Sequence, residues 1–169
     1  YDVLHFFLLY IGLNFLYSIK LKHVSIIDIF IISIGFVIRL MIGASVAHVQ
    51  LSMWIIIMTF LLALFLALSK RKGDLYKLEG NETRPVLNDY TQDFLSIGMS
   101  IMGSVVIVCY LMYSTSPKVI NYFGSEYVYV TSIFVLFGIL RYLQITFKDA
   151  ATDNPTKVFI HDFWLKLTI

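Results

Sequence analysis

The chain has 169 residues, 59% of them hydrophobic and only 14% charged, with a formal net charge of +2 and a mean hydropathy of +0.80. A soluble domain runs nearer ~45–50% apolar and ~25% charged, so disorder is excluded and a water-soluble enzyme nearly so. The small net charge argues against nucleic-acid binding, and one cysteine, Cys109, excludes an internal disulfide and a multi-cysteine metal site.

Five apolar segments follow one another: Val3–Ile19, Ile26–His48, Leu51–Leu68, Phe94–Tyr113 and Tyr127–Phe147, each of 17 to 23 residues. About 20 apolar residues cross the ~30 Å hydrocarbon core as a helix, and a helix satisfies its own backbone hydrogen bonds where lipid cannot. The expected fold is therefore an all-α, polytopic transmembrane helix bundle, with Val158–Ile169 opening a partial sixth span. Apolar sequence lies close to both ends of the chain, so it reads as an interior piece (residues 1–169) of a longer membrane protein.

Charge orients the spans. Lys20 and Lys22 follow the first span. Lys70, Arg71, Lys72, Lys77 and Arg84 follow the third, and Lys148, Lys157 and Lys166 follow the fifth. With alternating spans all of these fall on one side and Lys118 alone on the other, so the positive-inside rule puts the basic side in the cytoplasm. The connection 69–93 (SKRKGDLYKLEGNETRPVLNDYTQD) is the longest hydrophilic stretch and is expected to be a cytoplasmic loop able to carry chemistry.

Several polar residues are unexpected in lipid. Arg39 lies 11 residues beyond Asp28, about 16 Å along a helix and so near mid-bilayer, where Arg costs at least ~2.5–3.5 kcal/mol on insertion scales. The same spacing is close to three turns, so Asp28, Gly35, Arg39 and Gly43 share one face. Arg39 reads either as an ion pair with a carboxylate on another helix or as an anion-binding fork in a cavity, since guanidinium geometry suits phosphate. Tyr10, Asn14 and Tyr17 form a stripe running into Lys20 and Lys22. This is either helix packing or a phosphate cradle. Lys70-Arg71-Lys72 with Asp74 is either a stop-transfer anchor or a mixed-charge site. Asp89 and Asp93 read either as a magnesium-diphosphate pair or as acidic residues opening the fourth span. The histidines are dispersed, and no Walker, GxGxxG or GxSxG motif occurs.

Four runs in chain order carry a family likeness: YSIKLKHVSIIDIFIISIGFVIRLMIGA, LALFLALSKRKGDL, TRPVLNDY, and RYLQITF followed by DNPTKVFIHD. Together they resemble the UbiA-type intramembrane prenyltransferase superfamily, nearest to its decaprenyl-phosphate phosphoribosyltransferase branch. The resemblance covers essentially the whole chain. It implies a nine-helix bundle in a bacterial cytoplasmic membrane, of which this chain would supply helices four to eight and the start of nine. It also implies transfer of a 5-phosphoribosyl group from phosphoribosyl diphosphate to a polyprenyl phosphate with Mg2+, in cell-envelope biosynthesis.

By the same resemblance, Tyr17 and Lys22 match the branch's Tyr-Ser-…-Leu-Lys motif, with Lys20 between them. Arg39 matches its Gly-Phe-Val-x-Arg motif. Lys70 and Arg71 match its Lys-Arg pair, and Asp74 stands where the branch usually has Glu. Arg84 and Tyr90 match its Arg-x-x-Leu-x-x-Tyr pattern. Tyr17, Lys20, Lys22, Arg39, Lys70, Arg71, Asp74 and Arg84 are thus the candidate substrate-binding residues. The superfamily's NDxxDxxxD motif does not occur in these residues, so the resemblance implies that the main metal ligands precede Tyr1 and that this stretch alone is inactive. Other readings are a prenyl-diphosphate transferase with an aromatic or other acceptor, a transporter fragment, and a non-catalytic assembly subunit. A homo-oligomer is compatible with all of them.

Overall fold

The computed structural model describes residues 2–77, 87, 89–148 and 162–168. These residues fold into helices: α1 (Asp2–Ile19), α2 (Ile27–Val46), α3 (Met53–Lys77), α4 (Gln92–Ser114), α5 (Pro117–Phe123), α6 (Ser132–Lys148) and α7 (Phe163–Lys166). Single-turn 3-10 segments at Leu21–His23 and Glu126–Thr131 lead into α2 and α6. No strand occurs among the described residues. The all-α bundle expected from hydropathy is what the chain forms.

Four helical stretches are long and apolar enough to span a membrane: Ile27–Val46, Met53–Tyr76, Gln92–Ser114 and Glu126–Lys148. The expected first span is shorter. Val3–Ile19 is apolar, but its length is about 26 Å at 1.5 Å per residue, below the ~30 Å of a hydrocarbon core. A second difference concerns the connection that begins at residue 69. The helix does not stop at Leu68 but carries the basic triplet in helical conformation to Lys77, because Ser69 and Arg71 are buried there with polar partners on other helices.

Local sequence chemistry explains the helix ends. Thr91 Oγ1 accepts the Phe94 N–H at 3.1 Å and caps α4, and Asp162 Oδ1 accepts the Leu165 N–H at 2.9 Å to cap α7. Pro117 starts α5 and Gly124, at φ +65°, ends it in the left-handed conformation that glycine adopts without strain.

Each helix packs on its predecessor: α1 on α2, α2 on α3, α3 on α4, and α4 on α6. Short connections make α1 and α2, and α2 and α3, antiparallel neighbours. The core lies between α3, α4 and α6, around Leu64, Phe65, Leu68, Leu95, Met99, Val106, Ile139 and Tyr142. The outward faces stay apolar, with Phe7, Phe15, Ile97, Val108, Ile133 and Leu140 all exposed, as a lipid-facing surface requires.

Gly103 is the closest point of the core. A Cβ there would stand 3.0 Å from Ile139 Cγ2 and 3.5 Å from Phe65 Cε2. Gly103→Val should therefore lower stability by about 1–3 kcal/mol through overpacking. Gly12→Ala, inside α1 with nothing within 4 Å, should not lower it and should raise it by up to about 1 kcal/mol. Thermal unfolding of both variants in the same detergent checks this.

Candidate functional site

The polar chemistry gathers where the α1–α2 connection, the end of α3 and the start of α4 meet. Asp28 lies in the first turn of α2 and is fully buried at 0% exposure, beside Arg71 at 3% and Tyr90 at 4%. Arg71 Nε donates to Asp28 Oδ2 at 2.7 Å, and Arg71 Nη1 donates to Asp74 Oδ2 at 2.9 Å. The Tyr90 hydroxyl donates to Asp28 Oδ1 at 2.7 Å and accepts the Ile26 N–H at 2.6 Å. Asp28 thus has both oxygens engaged, each by a different segment.

The helix N-terminus favours a carboxylate at Asp28, and the two charge-assisted bonds to Arg71 and Tyr90 replace its lost hydration. Ile26 sits at φ +67°, a conformation rare for a β-branched residue. Burial, and then the bond to Asp28, push the Tyr90 phenol well above its usual value of 10.0, so it remains a hydrogen-bond donor throughout neutral pH.

The candidate residues separate into groups. Arg71 and Asp74 are joined directly, while Tyr17 is half-buried on α1. Lys20 and Lys22 are exposed on the turn after α1, and Lys70 is exposed on α3. Arg39 is exposed, about three turns along α2 from the cluster. Its Nε returns to the Gly35 carbonyl at 3.2 Å, and its guanidinium lies 4.1 Å from the Phe36 ring centroid and 5.9 Å from that of Tyr10. No carboxylate pairs with Arg39 among the described residues. Arg84 lies outside the described residues.

Asp28, Tyr90 and Lys72 were not among the candidates. The signal for Asp28 was a solitary acidic residue at the head of an apolar helix. Tyr90 was legible only through its motif. Lys72 is buried at 4% exposure with its Nζ 3.7 Å from the Phe147 ring centroid, a cation–π contact between α3 and α6. Arg141 on α6 went unremarked although it lies inside a span. It holds Asp162 through Nη2 at 2.6 Å and Gln144 through Nη1 at 2.9 Å.

Asp93 stands exposed in the first turn of α4, while Asp89 precedes that helix's cap, Thr91. The DxxxD therefore does not share one helical face, and Asp93 serves the helix dipole. No group of three or more His, Cys, Asp or Glu side chains suited to a metal occurs among the described residues. Asp28 and Asp74 are both engaged by Arg71. The described residues thus do not fit a Mg2+ cage.

A cleft of about 500 Å³ is lined by Phe137, Leu140, Arg141, Gln144 and Trp164. An apolar cavity of about 290 Å³ lies between α3, α4 and α6, lined by Leu62, Phe65, Val106, Phe134, Ile139 and Tyr142 among others. Neither includes Lys22, Arg39, Lys70 or Arg71.

The profile of the UbiA prenyltransferase family matches residues 2–166. The chain belongs to that family. A decaprenyl-phosphate phosphoribosyltransferase of Mycolicibacterium smegmatis is 28% identical over 166 residues, covering 94% of this chain and 52% of the relative. One of the same name from Mycobacterium tuberculosis is 26% identical over 160 residues, with 94% and 52% covered. A third, from Corynebacterium glutamicum, is 27% identical over 135 residues, with 79% and 41% covered. The chain spans about half the length, or less, of these curated relatives.

The buried joint makes two predictions. Asp28→Ala strands the Arg71 charge and should cost about 3–5 kcal/mol, whereas the apolar pair Asp28→Leu with Arg71→Met should recover most of it. Denaturant unfolding of the three proteins in detergent measures this. Because folding raises the Tyr90 value, its contribution to stability is complete below pH ~10 and declines as pH rises towards the folded value. Tyr90→Phe should abolish that alkaline decline in thermal midpoint.

Proposed function

We propose that this family member is a membrane transferase moving a 5-phosphoribosyl group from phosphoribosyl diphosphate to a polyprenyl phosphate. The bond from ribose C1 to the diphosphate oxygen breaks, a bond from C1 to the lipid phosphate oxygen forms, and diphosphate leaves. The observation that carries this reading is the alignment over 94% of the chain with relatives named decaprenyl-phosphate phosphoribosyltransferase. The placement of exposed Lys20, Lys22 and Lys70 on the segments joined by the Asp28–Arg71–Tyr90 cluster supports it.

The chemistry suits these residues. A phosphate monoester is ionised at neutral pH, so the acceptor needs no strong general base. Negative charge grows on the departing diphosphate, and fixed cations aimed at it lower the barrier. In this proposal Lys20, Lys22 and Lys70 contact phosphate oxygens. Arg71, with Nε and Nη1 engaged, keeps Nη2 for a phosphate while it holds Asp74. Tyr17 adds to the polar lining, and Arg84 is carried as a candidate by the family resemblance alone. Arg39, deeper along α2, would meet the acceptor's phosphate or the ribose 5-phosphate. Mg2+ enters as a cofactor implied by the resemblance, with no step assigned to it here. The basic ends would face the cytoplasm of a bacterial inner membrane, where the soluble donor is met, while the polyprenyl tail stays in the bilayer.

The test uses the full natural protein in membranes with labelled phosphoribosyl diphosphate and a polyprenyl phosphate. A lipid-extractable phosphoribosyl product is expected. Prenylation of an aromatic acceptor from a prenyl diphosphate would instead move the chain to the other transferase reading. Arg39→Ala should lower turnover by at least ~10-fold with folded protein retained. Near-normal turnover would leave Arg39 a structural residue stacked on Phe36.

A further inference from the structure

The turn carrying Lys20 and Lys22 is fastened from a distance. Ile26 is the N-cap residue of α2 and has no side-chain cap. Its N–H is instead taken by the Tyr90 hydroxyl, 64 residues away in the chain. Before it, the backbone closes through His23 N–H to Lys20 O at 3.2 Å and Val24 N–H to Leu21 O at 3.3 Å. The bonds at Ile26 and Asp28 are therefore what ties this turn to α3 and α4.

Packing does not require the hydroxyl that makes this tie. The Tyr90 ring stacks on Phe94 with centroids 5.9 Å apart, a contact a phenylalanine would keep. The hydroxyl alone provides the acceptor for Ile26 and the donor for Asp28, and both capacities are used. The second oxygen of Asp28 is taken by Arg71, one residue after Lys70. A chain of bonds thus runs from the Lys20–Lys22 turn, through Tyr90 and Asp28, to the basic end of α3.

We propose that Tyr90 is a positioning residue whose phenol, shared between the Ile26 amide and Asp28, sets the Lys20–Lys22 turn against the Lys70 end of α3 so that cations from both segments address one phosphorylated substrate. This rests on the phosphate-transfer reading for the identity of the substrate but not for the existence of the tie. Loosening the turn lowers the fraction of molecules with the cations in register, which weakens apparent affinity by that fraction. Once substrate is bound the register is restored, so the chemical step changes little.

The test uses Tyr90→Phe in the full natural protein, with phosphoribosyl diphosphate as the probe. Amide hydrogen exchange across residues 20–27 should quicken by at least ~10-fold, KM for phosphoribosyl diphosphate should rise about tenfold, and kcat should stay within about threefold. Lys22→Met should raise KM while leaving exchange unchanged, which separates losing a cation from losing its placement. Should Tyr90→Phe fail to fold, Tyr90→Met, which likewise lacks the hydroxyl and keeps an apolar side chain, supplies the same readings. Unchanged exchange overturns the tie whatever the enzyme transfers. Faster exchange with unchanged KM, or an equal fall in kcat, overturns the positioning role. Absence of phosphoribosyl transfer by the wild-type protein would defeat the functional reading alone, because the exchange measurement still decides whether the tie exists.

Discussion

Arg71 is charged and almost wholly buried at 3% exposure, and the arrangement of this end of the bundle depends on how that charge is met. Removing a guanidinium from water is favourable only if its partners replace the hydration it loses. Asp28 does so at 2.7 Å and Asp74 at 2.9 Å. Satisfying Arg71 fixes α3 against the first turn of α2. Satisfying the other oxygen of Asp28 brings Tyr90 into place just ahead of α4. One buried cation thereby brings three separate stretches of chain to a common point.

The same requirement explains why Lys70, Arg71 and Lys72 behave so differently. In sequence they form an undifferentiated basic run. On a helix each successive residue is turned by about 100°, so their side chains leave α3 in three directions. Lys70 is exposed, Arg71 meets Asp28, and Lys72 lies over Phe147 of α6. Hydropathy revealed the helices because apolar length is a local property. It did not reveal which basic residue is neutralised, because that depends on which helix lies alongside. The third helix ran past its expected end for this reason: the partners of Ser69 and Arg71 come from residues 142 and 28. The face expected to carry Asp28, Gly35, Arg39 and Gly43 is covered only at its first half: Asp28 and Gly35 are buried, Arg39 and Gly43 exposed. At the depth of Arg39 the described helices leave it exposed, with its guanidinium on Phe36 of its own helix and the Tyr10 ring of α1 5.9 Å away.

Directional bonds have particular weight in a membrane. Lipid tails are as apolar as leucine, so the hydrophobic effect gives two packed helices little reason to prefer one axial offset over another. Here the offset of α2 against α3 is set by Asp28 with Arg71. That of α3 against α6 is set by Ser69 with Tyr142 at 2.8 Å, and that of α6 against α7 by Arg141 with Asp162. Ser69 and Arg71 are two residues apart, and Arg141 adjoins Tyr142, so these joints form one band across the bundle towards its basic end. Towards the other end, Tyr110 with Thr131 at 2.9 Å links α4 to the turn before α6, at an exposed site where water or headgroups compete. Close packing around Gly103 holds the middle. The directional joints of the described helices are thus concentrated at the end of α3 that carries Lys70. If Lys20, Lys22 and Lys70 act together on a phosphate as proposed, their mutual repulsion acts at this end, where the joints through Asp28, Arg71, Ser69 and Tyr142 resist it.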